Sequence, residues 1–450
     1  MNSTAENKMG TMPIKKLVIS ISLPMMISML VQALYNIVDS IFVARIHPDA
    51  LTALSMAFPL QTVMIGFAVG TSVGVNAILS KALGEKNSER VNKSAVNGLF
   101  LAFVTYIVFL ILGFKVVGPF YSTQTRISSI YSYGKDYLSI CMIFSFGVFS
   151  QIMLERLLSS TGKTMLTMIT QGTGAIVNLI LDPILIFGYC GAPAMGVKGA
   201  ATATVIGQCV AAVLALILNL KCNHEIHISF KRFRPDIKLI TEIYIIAIPS
   251  IIMQCIGSIM VYIMNRILYK FSTDAVSVFG IYFKLQSFVF MPVFGLNSGV
   301  IPIIAYNYGA RNKERLVKSW RFAWAVATCI MLIGALAFEL VPNLLLMPFN
   351  CTEEMLTMGK TALRIIGVHL PVAAFCIITG TLFQALGKSI YGMITSIMRQ
   401  LVVLLPAAYF LSLIGNVDYV WIAFPIAEIM SATVTFIFLR IINKKIISKL

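Results

Sequence analysis

The chain has 450 residues, 58% of them apolar and 12% charged, with a formal net charge of +17. Apolar runs of 20 or more residues recur along it, each long enough to cross a hydrocarbon core of roughly 30 Å as a helix. They leave no stretch in which a soluble enzyme head or nucleotide-binding module could fold.

Twelve spans are predicted, near 17–44, 52–80, 95–118, 134–155, 165–189, 197–220, 239–269, 276–306, 320–348, 361–385, 390–413 and 419–442, an all-α polytopic membrane protein. The first run is too long for a signal peptide and lacks a small-residue cleavage site, so it stays as helix one. With the N-terminus in the cytoplasm and charges near a span end counted with the adjoining tail or loop, 24 of the 35 Lys and Arg fall on the tails and even-numbered loops, 8 on odd-numbered loops and 3 within spans. This is the positive-inside bias. It places both termini in the cytoplasm and turns the basic surplus toward anionic lipid, not nucleic acid. The eight cysteines lack paired spacing and read as small core fillers rather than a disulfide framework.

The chain also repeats itself at a shift of 225 residues, half its length. Gly-Glu-Lys-Asn-Ser-Glu-Arg at 84–90 falls on Gly-Ala-Arg-Asn-Lys-Glu-Arg at 309–315, and the same shift pairs Pro24 with Pro249, Gln61 with Gln286, Gly70 with Gly295 and Gly74 with Gly299. It also pairs Gly134-Lys135 with Gly359-Lys360 and Gly162-Lys163 with Gly387-Lys388. Two tandem halves of six spans each re-enter the membrane in the same direction, as in transporters built from parallel repeats about a pseudo-twofold axis. The expected domains are an N-terminal lobe at 1–220, a cytoplasmic linker at 221–238 and a C-terminal lobe at 239–450. Lys221, Lys231, Arg232, Arg234 and Lys238 hold the linker at the cytoplasmic face as a strap. Pro24 and Pro249 each remove a helical hydrogen bond, marking either a hinge or a tolerated proline near a helix start.

Intramembrane charge costs a few kcal/mol or more, so each instance needs a reason. Asp39 lies well inside the first span, Glu155 closes the fourth, Asp182 lies in the fifth, and Lys284, Arg399 and Glu428 lie in the eighth, eleventh and twelfth. At the repeat shift the three acids face Met264, Gly380 and Ala407, so their role belongs to the first half. Asn178 and Asp182 are four residues apart, on one helix face. A carboxyl in apolar surroundings with no fixed cation can exchange a proton in the physiological range. Together, Asp39, Asn178, Asp182 and a hydroxyl such as Thr204 offer enough oxygens for a small hard cation.

Alternatives stand beside these readings. Asp39 is either an ion carrier or a solvated acid near the outer interface, and Asp182 either a carrier or a polar kink before Pro183. Glu155 either has an intramembrane role or forms a surface ion pair with Arg156. Lys284 either neutralises a carboxylate or snorkels to the headgroups. Arg399 and Glu428 read as a structural pair, and the 24 methionines as core filler or the lining of an adaptable pocket. The two Gly-Lys-Thr/Ser triplets lack the glycines of a P-loop, His224-Glu225-Ile226-His227 has the wrong spacing for a zinc hydrolase, and no Gly-x-Ser-x-Gly motif occurs, so no enzyme is expected.

The residues resemble those of the multidrug and toxic compound extrusion (MATE) transporters over essentially the full length. The likeness rests on Ser22-Leu23-Pro24, Asp39 followed by Ile41-Phe42-Val43, Asp182-Pro183-Ile184-Leu185, Gly196 to Thr204, and Pro302 to Ala310. It implies two six-helix lobes around a central V-shaped cavity and secondary antiport of cationic or amphipathic compounds against protons or sodium in a bacterial cell membrane. It also implies that Asp39, Asn178, Asp182 and Thr204 form the coupling site, holding the metal through Asp39, Asn178 and Asp182 if the ion is sodium, with Pro24 as the hinge. Expected substrate contacts are Gln32, Tyr35, Asn36, Glu155, Lys284, Gln286 and Met291. No cofactor beyond the coupling ion is expected, and the expected state is a monomer. Spans seven and ten lack the acids of members that couple through the second lobe, which favours the DinF-like branch. The alternatives are a lipid or lipid-linked oligosaccharide flippase, for which only Lys284, Arg364 and Arg399 offer cationic groups, and a channel.

Overall fold

The computed structural model describes residues 7–229, 233–349 and 351–450. Among these, ten helices are long and apolar enough to cross a membrane, and two bent helix pairs bring the spans to twelve. In chain order they are α1 (Ile14–Ala44), α2 (Pro48–Gly84), α3 (Ser88–Lys115), α4 (Ser128–Ile143 with Phe146–Ser160), α5 (Thr164–Phe187) and α6 (Val197–Cys222). The second half gives α7 (Ile237–Leu268), α8 (Thr273–Gly309), α9 (Lys313–Leu340), α10 (Glu353–Gly367 with Leu370–Ala385), α11 (Ser389–Ser412) and α12 (Val417–Lys445). Large apolar side chains stay exposed on these helices, among them Phe58, Phe103, Phe114, Ile333 and Phe410. Such an exterior suits hydrocarbon rather than water.

The repeat is visible in backbone detail. The α2–α3 and α8–α9 turns each put a non-glycine residue in the left-handed region, Lys86 at φ 56° and Arg311 at φ 53°. Each next residue, Asn87 or Asn312, then caps the following helix, accepting from the backbone N–H of Arg90 at 2.9 Å or of Arg315 at 3.1 Å. The Gly-Lys triplets are turns as well, with Gly162 at φ 85° between α4 and α5 and Gly387 at φ 73° between α10 and α11. A residue with a Cβ resists that geometry, which accounts for glycine at both places. The bends of 46° in α4 and 49° in α10 fall at the same point of the repeat to within one residue. They were not legible in the sequence, which directed attention to Pro24 and Pro249. Both prolines are buried inside continuous helical segments.

The chain packs into two compact units. The leading unit is Ile27–Ile251, and the trailing unit joins Met1–Met26 to Ile252–Leu450. These differ from the lobes at 1–220 and 239–450 expected from the repeat, because the opening segment of each half's first helix is packed with the other half. In the trailing unit the start of α1 lies on α8, where a Cβ on Gly295 would sit 2.5 Å from Met26 Cα and one on Gly299 2.7 Å from Ser22 Cα. In the leading unit the start of α7 lies on α2, where a Cβ on Gly70 would sit 2.8 Å from Ile251 N and one on Gly74 2.6 Å from the Ile243 carbonyl oxygen. The four glycines matched in the sequence are the seats for these segments. Small residues let membrane helices approach at backbone distance.

The strap is tied to the leading unit. Glu225 pairs with Lys163, Glu242 at the start of α7 pairs with Arg90, and the His227 N–H donates to Asn92 Oδ1 at 2.8 Å. Lys231 and Arg232 lie outside the described residues. All eight cysteines are free, but core filling describes only some of them: Cys141 is buried, whereas Cys190, Cys222 and Cys329 are exposed.

Candidate functional site

The leading unit carries the acidic site. Along α5 the buried face reads Thr164, Thr167, Thr170, Gly174, Asn178 and Asp182, a polar stripe with helical spacing. Helix α6 meets it with Gly199, Ala200, Ala203, Gly207, Ala211 and Ala215 buried. The fit is close: a Cβ on Gly207 would lie 2.8 Å from the Gly174 carbonyl oxygen and 3.2 Å from Asn178 Cβ. This contact presses Asn178 toward Thr204. Asn178 Nδ2 donates to Asp182 Oδ1 at 3.3 Å and to Thr204 Oγ1 at 3.3 Å, and Asp182 is 0% exposed. With the amide oxygen and nitrogen exchanged, the amide still donates to Asp182, now at Oδ2, and accepts from the Thr204 backbone N–H at 3.2 Å.

Asp39 completes the group from α1. Its Oδ1 is buried and has no hydrogen-bond partner among the described residues. The carboxyls of Asp39 and Asp182 are near enough to interact electrostatically, and Tyr35, one turn before Asp39, feels both. Two carboxyls, an amide and a hydroxyl thus lie in one neighbourhood of the leading unit, Asp182 and Asn178 buried and Asp39 and Thr204 half-buried. An orphaned buried carboxyl oxygen is costly to leave unfilled, and a proton or a small hard cation would satisfy it. Among the described residues no group of three or more His, Cys, Asp or Glu is placed to hold a metal ion. A cation here would therefore draw on two carboxylates and neutral oxygens, a hard-ligand set.

Three neighbours were missed as site residues. Gln61 Nε2 of α2 donates to the hydroxyl of Tyr137 on α4 at 3.3 Å, and Tyr137 and Cys141 both interact with Asp39. Gln61 stood out only as a repeat landmark. Tyr137 and Cys141 are one turn apart in an ordinary apolar run and carried no signal.

The other expected residues divide between the units. Gln32, Tyr35, Asn36 and Glu155 belong to the leading unit, and Lys284, Gln286 and Met291 to the trailing unit. Glu155 is not in a surface ion pair with Arg156. It is 3% exposed, and its carboxyl accepts from Gln151 Nε2 at 3.0 Å, Thr170 Oγ1 at 3.0 Å and Gln171 Nε2 at 2.8 Å. The α4–α5 turn folds the end of one helix against the start of the next and so buries this acid. Lys284 is exposed and lies 6.0 Å from the Phe349 ring centroid, a cation–π contact. Pro24 lies in the trailing unit, two residues before the unit boundary in α1.

The expected Arg399–Glu428 pair is present. Arg399 Nη1 donates to Glu428 Oε2 at 3.1 Å, and Arg399 stands in a π-helical stretch of α11, Met398–Leu404. Beside Glu428 on α12, Phe424 belongs to a buried aromatic core with Phe279, Tyr282 and His369.

Twelve spans in two repeats, with an acidic cluster in the leading unit, define a polytopic membrane transporter. The model of the MatE family matches residues 24–184 and again residues 249–410, so the two matches begin 225 residues apart, and the chain belongs to that family. The multidrug export protein MepA of Staphylococcus aureus (strain MSSA476) is 24% identical over 440 residues, covering 96% of this chain and 95% of its own. The FAD transporter of Shewanella oneidensis is 26% identical over 435 residues, covering 93% and 92%. A solved structure described as the outward-facing conformation of a multidrug resistance MATE family transporter superposes with a TM-score of 0.93 at 24% identity, covering 100% of both chains. A MOP superfamily transporter from Pyrococcus furiosus superposes with a TM-score of 0.91 at 24% identity, covering 98% of both. At such identity these structural matches speak for the fold.

Proposed function

We propose that this protein exports cationic or amphipathic compounds by alternating access, in exchange for protons or sodium bound at Asp39, Asn178, Asp182 and Thr204. The observation that carries this reading is the electrostatically linked pair of half-buried Asp39 and fully buried Asp182, with Asn178 between Asp182 and Thr204. A coupling ion shifts a two-state equilibrium only through unequal affinity for the two states. The orphaned Asp39 oxygen supports such a difference, since it is costly in any state where nothing fills it. Substrate contacts come from Gln32, Tyr35 and Asn36 on α1 and from Lys284, Gln286 and Met291 on α8, and Pro24 serves as the hinge. The basic residues set both termini on the cytoplasmic side of the cell membrane. The protein acts as a monomer and takes no cofactor beyond the coupling ion.

The test is uptake of a fluorescent cation into inside-out vesicles, with a proton gradient and a sodium gradient imposed separately. One gradient should drive saturable uptake, and Asp39→Asn and Asp182→Asn should each abolish it while the protein still inserts. Full uptake by both variants would overturn the reading.

A second reading, export of an anionic dinucleotide, is favoured by the relative named as an FAD transporter. Flavin accumulation in the same vesicles would select it. Holding a pyrophosphate would need free cationic groups, yet Arg399 is tied to Glu428, and Arg364 Nε lies 3.9 Å from Glu339 Oε1. That weighs against an anionic dinucleotide and a lipid-linked flippase alike.

A further inference from the structure

Glu155, an expected substrate contact given no part in the coupling above, is a buried acid of α4 packed against the same face of α5 that carries the coupling site. Its partners are Thr170 and Gln171, and Thr170 precedes Asn178 by eight residues, about 12 Å at 1.5 Å per residue. Between them lies Gly174, closed off by the backbone of Gly207. The two acids therefore meet α5 at separate levels, about two turns apart.

The hydrogen bonds around Glu155 suit either protonation state. Thr170 Oγ1 has one hydrogen and two acceptors in range, Glu155 Oε1 at 3.0 Å and the Thr167 carbonyl oxygen at 2.8 Å. When Glu155 is ionised, the Thr170 hydroxyl donates to Oε1, Gln151 Nε2 donates to the same oxygen, and Gln171 Nε2 donates to Oε2. When Glu155 is protonated at Oε1, the direction reverses: the carboxyl O–H donates to Thr170 Oγ1, whose own hydrogen turns to Thr167. A hydroxyl is both donor and acceptor, so rotation of one bond accommodates either state. Thr167 and Ser159 hold the frame, their hydroxyls donating to the Glu155 carbonyl oxygen at 3.2 and 2.9 Å.

Four helices pack on this part of α4, and from α2, α3, α5 and α6 no titratable or charged group interacts with Glu155 among the described residues. Among the described residues the single charge in reach is its sequence neighbour Arg156, 8% exposed, with Nη1 buried and without a hydrogen-bond partner. Gln151 and Gln171 are the half-buried members of the cage, the side from which a proton can arrive.

We infer that Glu155 is a second proton-exchange site, caged by Gln151, Thr170 and Gln171, that takes up and releases one proton with water independently of Asp39 and Asp182. The step forms and breaks only the O–H bond at Oε1. The inference adds a site to the antiport reading, but it stands on the cage geometry and its test needs neither substrate nor gradient.

The experiment is infrared difference spectroscopy of the purified full chain, titrated between about pH 5 and about pH 9. The wild type should show a protonated-carboxyl C=O band of which Glu155→Gln loses one group's amplitude, and Asp39→Asn/Asp182→Asn should keep that component. Thr170→Val keeps the acid in place, removes the switching hydroxyl and should displace the same component. That variant decides the matter if Glu155→Gln does not fold. A Glu155→Gln spectrum that overlays the wild type across the range, or a Thr170→Val spectrum that does, would overturn the inference. Loss of antiport with the titration intact would instead count against the proposed function alone.

Discussion

The Asn178 amide donates to the Asp182 carboxyl at 3.3 Å whichever way the amide is turned, to Oδ1 in one orientation and to Oδ2 in the other. Asn178→Ala removes that donor from a fully buried acid, a loss of about 1–3 kcal/mol. Export should fall by about tenfold or more, with normal insertion in the membrane. Dye efflux and membrane abundance, measured side by side, check this. Gly207→Ala should act in the same direction, since its Cβ would displace Asn178 or the Gly174 backbone.

In the trailing unit, Arg399 and Glu428 make the opposite kind of charge site, a matched pair. Glu428 is 2% exposed, with Oε1 buried and unpartnered. Removing Arg399 leaves an uncompensated buried charge, so Arg399→Met should cost about 3–5 kcal/mol, while Arg399→Met/Glu428→Leu should recover most of it. Thermal unfolding in detergent distinguishes the two. A double variant as unstable as the single would mean that the pair does more than neutralise itself.

The glycine seats predict a position-dependent result. Gly74→Ala and Gly295→Ala each place a methyl group 2.6 Å or less from backbone atoms. Overpacking of this kind costs about 1–3 kcal/mol. Gly280, on α8, has nothing within 4 Å of a built Cβ. Gly280→Ala should be neutral or stabilise by about 0.5–1 kcal/mol. Melting temperatures of the three variants test the comparison.

Topology is open to a thiol test because Cys190, between α5 and α6, and Cys222, at the end of α6, are both exposed. With both termini cytoplasmic, a membrane-impermeant maleimide applied to intact cells should label a chain retaining only Cys190 and spare one retaining only Cys222. Reversed labelling would invert the assigned orientation.

Much of this was legible in the sequence because it rests on composition and period. Twelve spans followed from run length, and the duplication from residues that make turns, caps and close contacts, such as Asn87, Asn312, Gly162 and Gly387. The Asn178–Asp182 pair followed from helical spacing. What stayed hidden depends on which helices meet. Tyr137 and Cys141 are ordinary until α4 lies beside Asp39, and Glu155 next to Arg156 looks like a surface pair until α5 folds back over it. The partition into units was hidden for the same reason, since a sequence repeat marks where halves begin and says nothing about which helices pack together.

The seating of each opening helical segment among the other half's helices has a bearing on origin. A six-span fragment ending at the strap would leave the groove beside Gly70 and Gly74 empty and its own first segment without a berth. Two such fragments could fill each other's vacancies, as strand- or helix-exchanging dimers do. A tether would then have turned a mutual embrace between twins into a single polypeptide. Cutting the chain within 221–238 and producing both pieces together should, on that view, restore transport that neither piece supports alone.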